Sequence, residues 1–182
     1  PHTLELPLEP PTTEPPTTEP PTTEPPTTTH NVSPPHQTPP SRDTPLLLCY
    51  YDLEATGLDT TTEDIIQISI QYTKYEAGHK TPLHSYTTFV NTHKPIPHHI
   101  QSITKITPQH IEKAPFIADV LTEVQGHVYD FCNTHTLQHL VWIAHNGNGF
   151  DHKMLQRNCH THNLTMLTHR DDYNVWLSLI HI

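Results

Sequence analysis

From Thr44 onward, apolar residues fall into runs whose spacing separates strands from helices. Leu46-Leu47-Leu48-Cys49-Tyr50-Tyr51 is short, rich in strand formers and bounded by Pro45 and Gly57, which predicts a buried strand. Ile65 to Tyr72 alternates apolar with polar residues, a second strand. Ala77-Gly78-His79-Lys80 is a turn, and Ser85 to Val90 reads as a third strand. The short connections predict an antiparallel meander. Pro95 and Pro97 close it, and His98 to Ile103 follows as a short helical turn. Thr107-Pro108 is a helix start, a capping hydroxyl before proline at the first helical position. That helix stops before Pro115. Phe116 to about Cys132 carries Ile117, Val120, Leu121, Val124, Val128 and Phe131 on one stripe, a longer amphipathic helix. Leu140 to Ala144 is continuously apolar, a strand buried on both faces. Asn146-Gly147-Asn148-Gly149 turns the chain into a helix from Asp151 to about Cys159. Val175 to Ile182 fits either a strand or a helix.

Upstream the pattern vanishes. Residues 1–45 hold fifteen of the 20 prolines, and PPTTE at 10–14 recurs at 15–19 and 20–24, then as PPTTT at 25–29. A five-residue period is too short for a solenoid unit, and the segment carries too little apolar surface to offset its ordering entropy. Residues 1–43 are therefore expected to be a disordered, partly polyproline-II tether, with residues 44–182 forming the folded part. A plain spacer is the simplest role. The alternatives are an O-glycosylated stalk, to which the sequon Asn31-Val32-Ser33 would add, and a docking tail for a proline-binding module. A second sequon, Asn163-Leu164-Thr165, falls inside the folded part.

Charge narrows the classes. The chain carries 19 acidic and 9 basic residues, which argues against a broad basic grip on nucleic acid. The 18 histidines qualify this as pH falls. Cys49, Cys132 and Cys159 form no C-x-x-C pair, so neither a zinc ribbon nor a disulfide framework is indicated. No apolar run is long enough to span a membrane, and no signal peptide is recognisable. The first residue is Pro1, so a fragment or processed product is expected.

The candidate chemistry lies at two strand ends. Asp52 and Glu54 close the first strand one residue apart; alternation puts both on one face, about 7 Å apart at Cα. Like charges that close raise each other's pKa unless a cation intervenes, and hard divalent ions favour such an all-oxygen set. On its own the pair also suits a solvated, acidic strand end. Asp151 opens a helix after a buried strand, where ligands gather in open α/β sheets, though it also suits an ordinary N-cap. His145 alone fits a satisfied turn histidine as well as a ligand.

Taken together, Asp52-Leu53-Glu54-Ala55-Thr56-Gly57-Leu58, Ile103-Thr104-Lys105-Ile106-Thr107 with Ala114-Pro115-Phe116, and Ala144 to Asp151 resemble the ordered motifs of the DEDD-type (DnaQ-like) 3′-to-5′ exonucleases. The three-prime repair exonucleases and the proofreading subunit of bacterial replicative polymerase are the nearest likenesses. The resemblance covers about residues 46–160. It implies an α/β, ribonuclease H-like fold, a mixed sheet with flanking helices. It implies two divalent ions, Mg²⁺ or Mn²⁺, with Asp52 bridging both, Glu54 on the ion that activates water, and Asp151 supporting the second ion's shell. It also implies that the backbone at Thr56 and Gly57 meets the terminal 3′ hydroxyl and that Leu58 wedges against the last base. Asn146, beside His145, would orient the second motif or contact the strand. The implied partner is the 3′ end of a single-stranded nucleic acid, and the implied location nuclear or cytoplasmic rather than extracellular.

One part of the pattern is missing. The family's third motif, a His with Asp five positions later, occurs nowhere in the sequence, and His169-Arg170-Asp171-Asp172 does not fit the spacing. The resemblance places that motif further on than the 31 residues that follow Asp151, so the expectation is a domain truncated before it and inactive as it stands. A catalytically dead, nucleic-acid-binding descendant is the alternative. A third class, a His-rich metal-binding protein on a mucin-like stalk, ranks low: the histidines show no regular spacing, and His98-His99 is the only adjacent pair.

Overall fold

The computed structural model describes residues 44–137, 139–164 and 174–179. The expected tether at 1–43 lies outside them, as does His169-Arg170-Asp171-Asp172. Strands β1 (Leu46–Ala55), β2 (Ile65–Glu76), β3 (His79–Phe89), β4 (His139–His145) and β5 (Asn174–Leu179) form one sheet in the order β3-β2-β1-β4-β5. The first three make the antiparallel meander, and β4 joins β1 in parallel, as β5 joins β4. The helices are α1 (His98–Thr104), α2 (Pro108–Ile111), α3 (Ile117–Thr134) and α4 (Asp151–Thr161).

The hairpin between β2 and β3 is tighter than the sequence pattern indicates. Ala77 and Gly78 have φ of 48° and 83°, the two left-handed positions of a type I′ turn, so β2 runs on to Glu76 and β3 begins at His79. Pro82 hid this extension. It sits within β3, and β3 is an edge strand, where a missing N–H breaks no ladder on the outer side. The residues from Val175 on, ambiguous in sequence, belong to a strand through Leu179.

Alternation sorts the sheet into two faces. Leu47, Cys49, Tyr51 and Leu53 of β1, with Trp142 and Ala144 of β4, turn toward α3 and α4. From α3 the stripe Val120, Leu121, Val124 and Val128 is buried against them, each side chain contributing about 2 kcal/mol. Met154, Leu155 and Cys159 of α4 complete this core, and all three cysteines lie buried in it as thiols. A second cluster joins Ile66 to Ile96, Ile100, Ile106 and Ile111, which seats α1 and α2 beside the other face. A third, of Leu48, Val141 and Ile143, occupies that face over β1 and β4. Among the described residues no helix is long and apolar enough to cross a membrane.

Candidate active site

β1 and β4 run in register from Leu46 opposite His139 to Tyr50 opposite Ile143, and then part. β1 continues against β2 to Ala55, while β4 ends at His145 and its chain leads on to β5 on the opposite side. The carboxyl ends of these two strands thus form a topological switch point, where ligands gather in open α/β sheets. Asp52, Glu54 and His145 fall on one face there, flanking the buried Leu53. Directly beyond Glu54 the register with β2 shifts, because Glu54 faces Gln67 but Ala55 faces Ile65. Such a bulge re-aims neighbouring side chains.

Asp151 enters from below. Phe150, not Asp151, occupies the N-cap of α4, so the capping alternative fails. Asp151 is only 5% exposed. Its Oδ1 accepts the Leu53 N–H at 3.1 Å, the amide that lies between Asp52 and Glu54 in the chain. That amide is available because β4 has already diverged.

Burial pushes the Asp151 carboxyl up to about 6; the Leu53 N–H opposes the shift, and Asp52 and Glu54 add to it. Glu54 is raised by burial and then by Asp52. Asp52 is raised by burial, with His145 pulling it back. Each carboxylate therefore resists ionising in the absence of a cation. This all-oxygen, under-neutralised donor set fits a hard divalent ion by its chemistry. Among the described residues, however, no three His, Cys, Asp or Glu side chains already stand around one ion position. Closing on an ion requires side-chain movement.

The other expected residues fall on two connections. Thr56 is buried: its N–H donates to the Asp64 carbonyl at 2.9 Å, its hydroxyl donates to the Glu63 carboxylate, and it accepts the Asp64 N–H at 3.0 Å. A Cβ on Gly57 would lie 3.0 Å from Glu63 Cγ, so the glycine admits that side chain. Leu58 projects from the loop at 85% exposure. His145 is exposed, and Asn146 holds φ of 48°, donating its N–H to the Leu179 carbonyl at 2.8 Å. The Asn146 amide packs against Gly149, and a Cβ on Gly147 would meet His152 Nε2 at 2.4 Å. His152 is buried and hydrogen-bonded through Nδ1 to the Tyr51 hydroxyl at 2.6 Å.

Asp52, Glu54, His145 and Asp151 are thus drawn together at one cleft, with Thr56, Gly57 and Leu58 on the loop leaving it. Sequence reasoning missed His152, Glu63 and Arg157. Only the adjacency of His152 to Asp151 offered a signal.

The family profile described as exonuclease (RNase T) matches residues 49–177. The PolC-type DNA polymerase III of Mycoplasma genitalium is 30% identical over 118 residues, covering 65% of this chain and 7% of that protein. The 3′-5′ exonuclease DinG of Staphylococcus aureus is 28% identical over 95 residues, covering 52% of this chain and 9% of that protein. The chain thus spans less than a tenth of these curated relatives. Escherichia coli exonuclease I, solved with a dT13 oligonucleotide, superimposes with a TM-score of 0.56 at 14% identity, over 75% of this chain and 28% of that one. Exonuclease I from Methylocaldum szegediense gives 0.56 at 16%, over 73% and 27%. These likenesses establish the mixed sheet with flanking helices as a ribonuclease H-like fold. With the profile spanning most of the folded part, the chain belongs to the exonuclease family.

Proposed function

We propose that this chain carries the carboxylate face of a divalent-metal-dependent 3′-to-5′ exonuclease acting on single-stranded ends. The observation that carries the reading is the convergence of Asp52, Glu54 and buried Asp151, tied through the Leu53 amide and charged beyond what the described side chains neutralise. Asp52, Glu54 and Asp151 would hold Mg²⁺ or Mn²⁺. When bound, such ions neutralise the attacking and leaving oxygens of a phosphodiester. Exposed Leu58 offers an apolar surface to the last base. Asn146 fixes the turn that delivers Asp151. A single-stranded substrate agrees with the oligonucleotide in the exonuclease I structure.

That no three His, Cys, Asp or Glu side chains among the described residues stand around one ion position favours a second reading, a module that binds 3′ ends without cleaving them. A 5′-labelled single strand, titrated with the chain in Mn²⁺ and then in chelator, separates the two. The exonuclease reading expects binding that needs the metal, a free 3′ hydroxyl and Asp52. Cleavage by these 182 residues is expected to be weak, since acid–base help is worth about 10²- to 10⁴-fold. Binding unchanged by chelator and by Asp52→Asn supports the second reading. No preference for 3′ ends overturns both.

A further inference from the structure

The loop at 56–64 has little apolar anchorage. Leu58, Asp59, Thr61 and Thr62 are exposed, so hydrogen bonds hold its shape. Asp59 caps Thr61 and Thr62 locally. Lys94 donates to the Thr62 carbonyl from the far side. Thr92 holds the Asp64 carboxylate and Lys94 also faces the Glu63 carboxylate at 3.8 Å, and a further tie comes from α4: the Arg157 guanidinium donates from Nη1 to the Thr60 carbonyl at 2.7 Å and from Nη2 to the Glu63 carbonyl. Glu63 in turn takes the Thr56 hydroxyl and fills the space beside Gly57.

We infer that Arg157 is a positioning residue that fixes the nucleotide-receiving loop relative to the helix bearing Asp151. The inference rests on the exonuclease reading. α4 begins at Asp151, whose carboxylate is bonded to β1, and six residues later Arg157 is bonded to the loop that leaves β1. The two ties bracket the cleft, so Asp151 and Leu58 keep one relative placement. The planar fork of Arg is the chemistry required, because one side chain must serve two carbonyls at fixed separation; a lysine ammonium lacks that shape.

The test uses the full chain in Mn²⁺ and single strands carrying 2-aminopurine either as the 3′-terminal base or internally. Direct Mn²⁺ titration runs in parallel. Arg157→Ala is expected to weaken the terminal-base response about tenfold, the loss of charge-assisted bonds, with Mn²⁺ affinity and the internal-base response held within about twofold. Arg157→Lys should recover part of the terminal response. An Arg157→Ala protein with wild-type terminal response overturns the inference and leaves the exonuclease reading standing. Parallel loss of Mn²⁺ affinity also overturns it, because the role would then be merely structural. If Arg157→Ala does not fold, Arg157→Lys carries the same comparison. A wild-type chain that shows no terminal response fails the exonuclease reading itself, and the inference with it.

Discussion

The turn after β4 and the loop after β1 end neighbouring strands at one end of the sheet, and each delivers residues to the cleft. The turn spans Asn146 to Phe150 and, beside the backbone hydrogen bonds donated by Asn146, Gly149 and Phe150, is shaped by close contact: Gly147 lies against the His152 ring and Gly149 against the Asn146 amide. The loop, at 56–64, is longer and shaped by hydrogen bonds from Thr56, Asp59, Lys94 and Arg157. Packing contacts resist displacement steeply, whereas a hydrogen-bonded loop can exchange partners with water. The difference suits their contents. Asp151 must stay buried at one amide, while Leu58 meets whatever lies outside.

The sharpest way to break the comparison is Gly147→Ala. The new methyl would fall 2.4 Å from His152 Nε2, on a ring already bonded to Tyr51. Urea unfolding should show a loss on the order of 3 kcal/mol. A loss below about 1 kcal/mol would mean that the ring can move aside and packing does not set the turn.

The next effect is electrostatic. Because the folded state raises the Asp151 carboxyl from 3.8 to about 6, it holds a proton that the unfolded chain releases across that window. The contribution of this carboxyl to stability is then full below about pH 4 and is lost as pH rises through about 6. Asp151→Asn keeps an oxygen for the Leu53 amide and should remove that slope, leaving the protein about 2 kcal/mol more stable at pH 7. Melting curves from pH 4 to pH 8 check it. A variant with the wild-type slope would locate the titration elsewhere. Mn²⁺ should stabilise wild type at pH 7 by mass action and do little for Asp52→Asn.

Thr56→Val tests the loop. It removes the hydroxyl that serves Glu63 and Asp64 while preserving shape, and should cost about 1 to 2 kcal/mol. Amide exchange should accelerate across 57–63 and stay unchanged at 146–150. Equal acceleration at both would mean the two connections move as one. The smallest effect is expected from deleting residues 1–43, whose composition buries little; melting should stay within about 0.5 kcal/mol. A larger loss would give that segment a packing role.

The meander, the crossover helix and the buried β4 were legible because their periodicity states which side is wet. Val120, Leu121, Val124 and Val128 repeat at helical spacing and are the residues that α3 buries. Asp52, Glu54 and Asp151 were legible through their place at strand ends, reinforced by family likeness. The length of β3 was not, because Pro82 signals a break unless one knows that the strand is an edge. Nor were the supports. Arg157 binds Thr60 and Glu63 across more than ninety positions, and His152 meets Tyr51 across a hundred. No local pattern encodes a partner that only the sheet order brings near.

The three thiols of the core offer a clock. Cys49, Cys132 and Cys159 sit on β1, α3 and α4, three different elements of the main core. Burial pushes the Cys159 thiol up to about 12 and raises Cys49 as well. Neither reacts from the folded state, since the thiolate is the reactive form. Alkylation of either must wait for its element to open, and its rate under excess reagent equals that opening rate. Peptide mapping of the labelled protein would then order the departure of the central strand and the helix that positions Asp151, with no added probe.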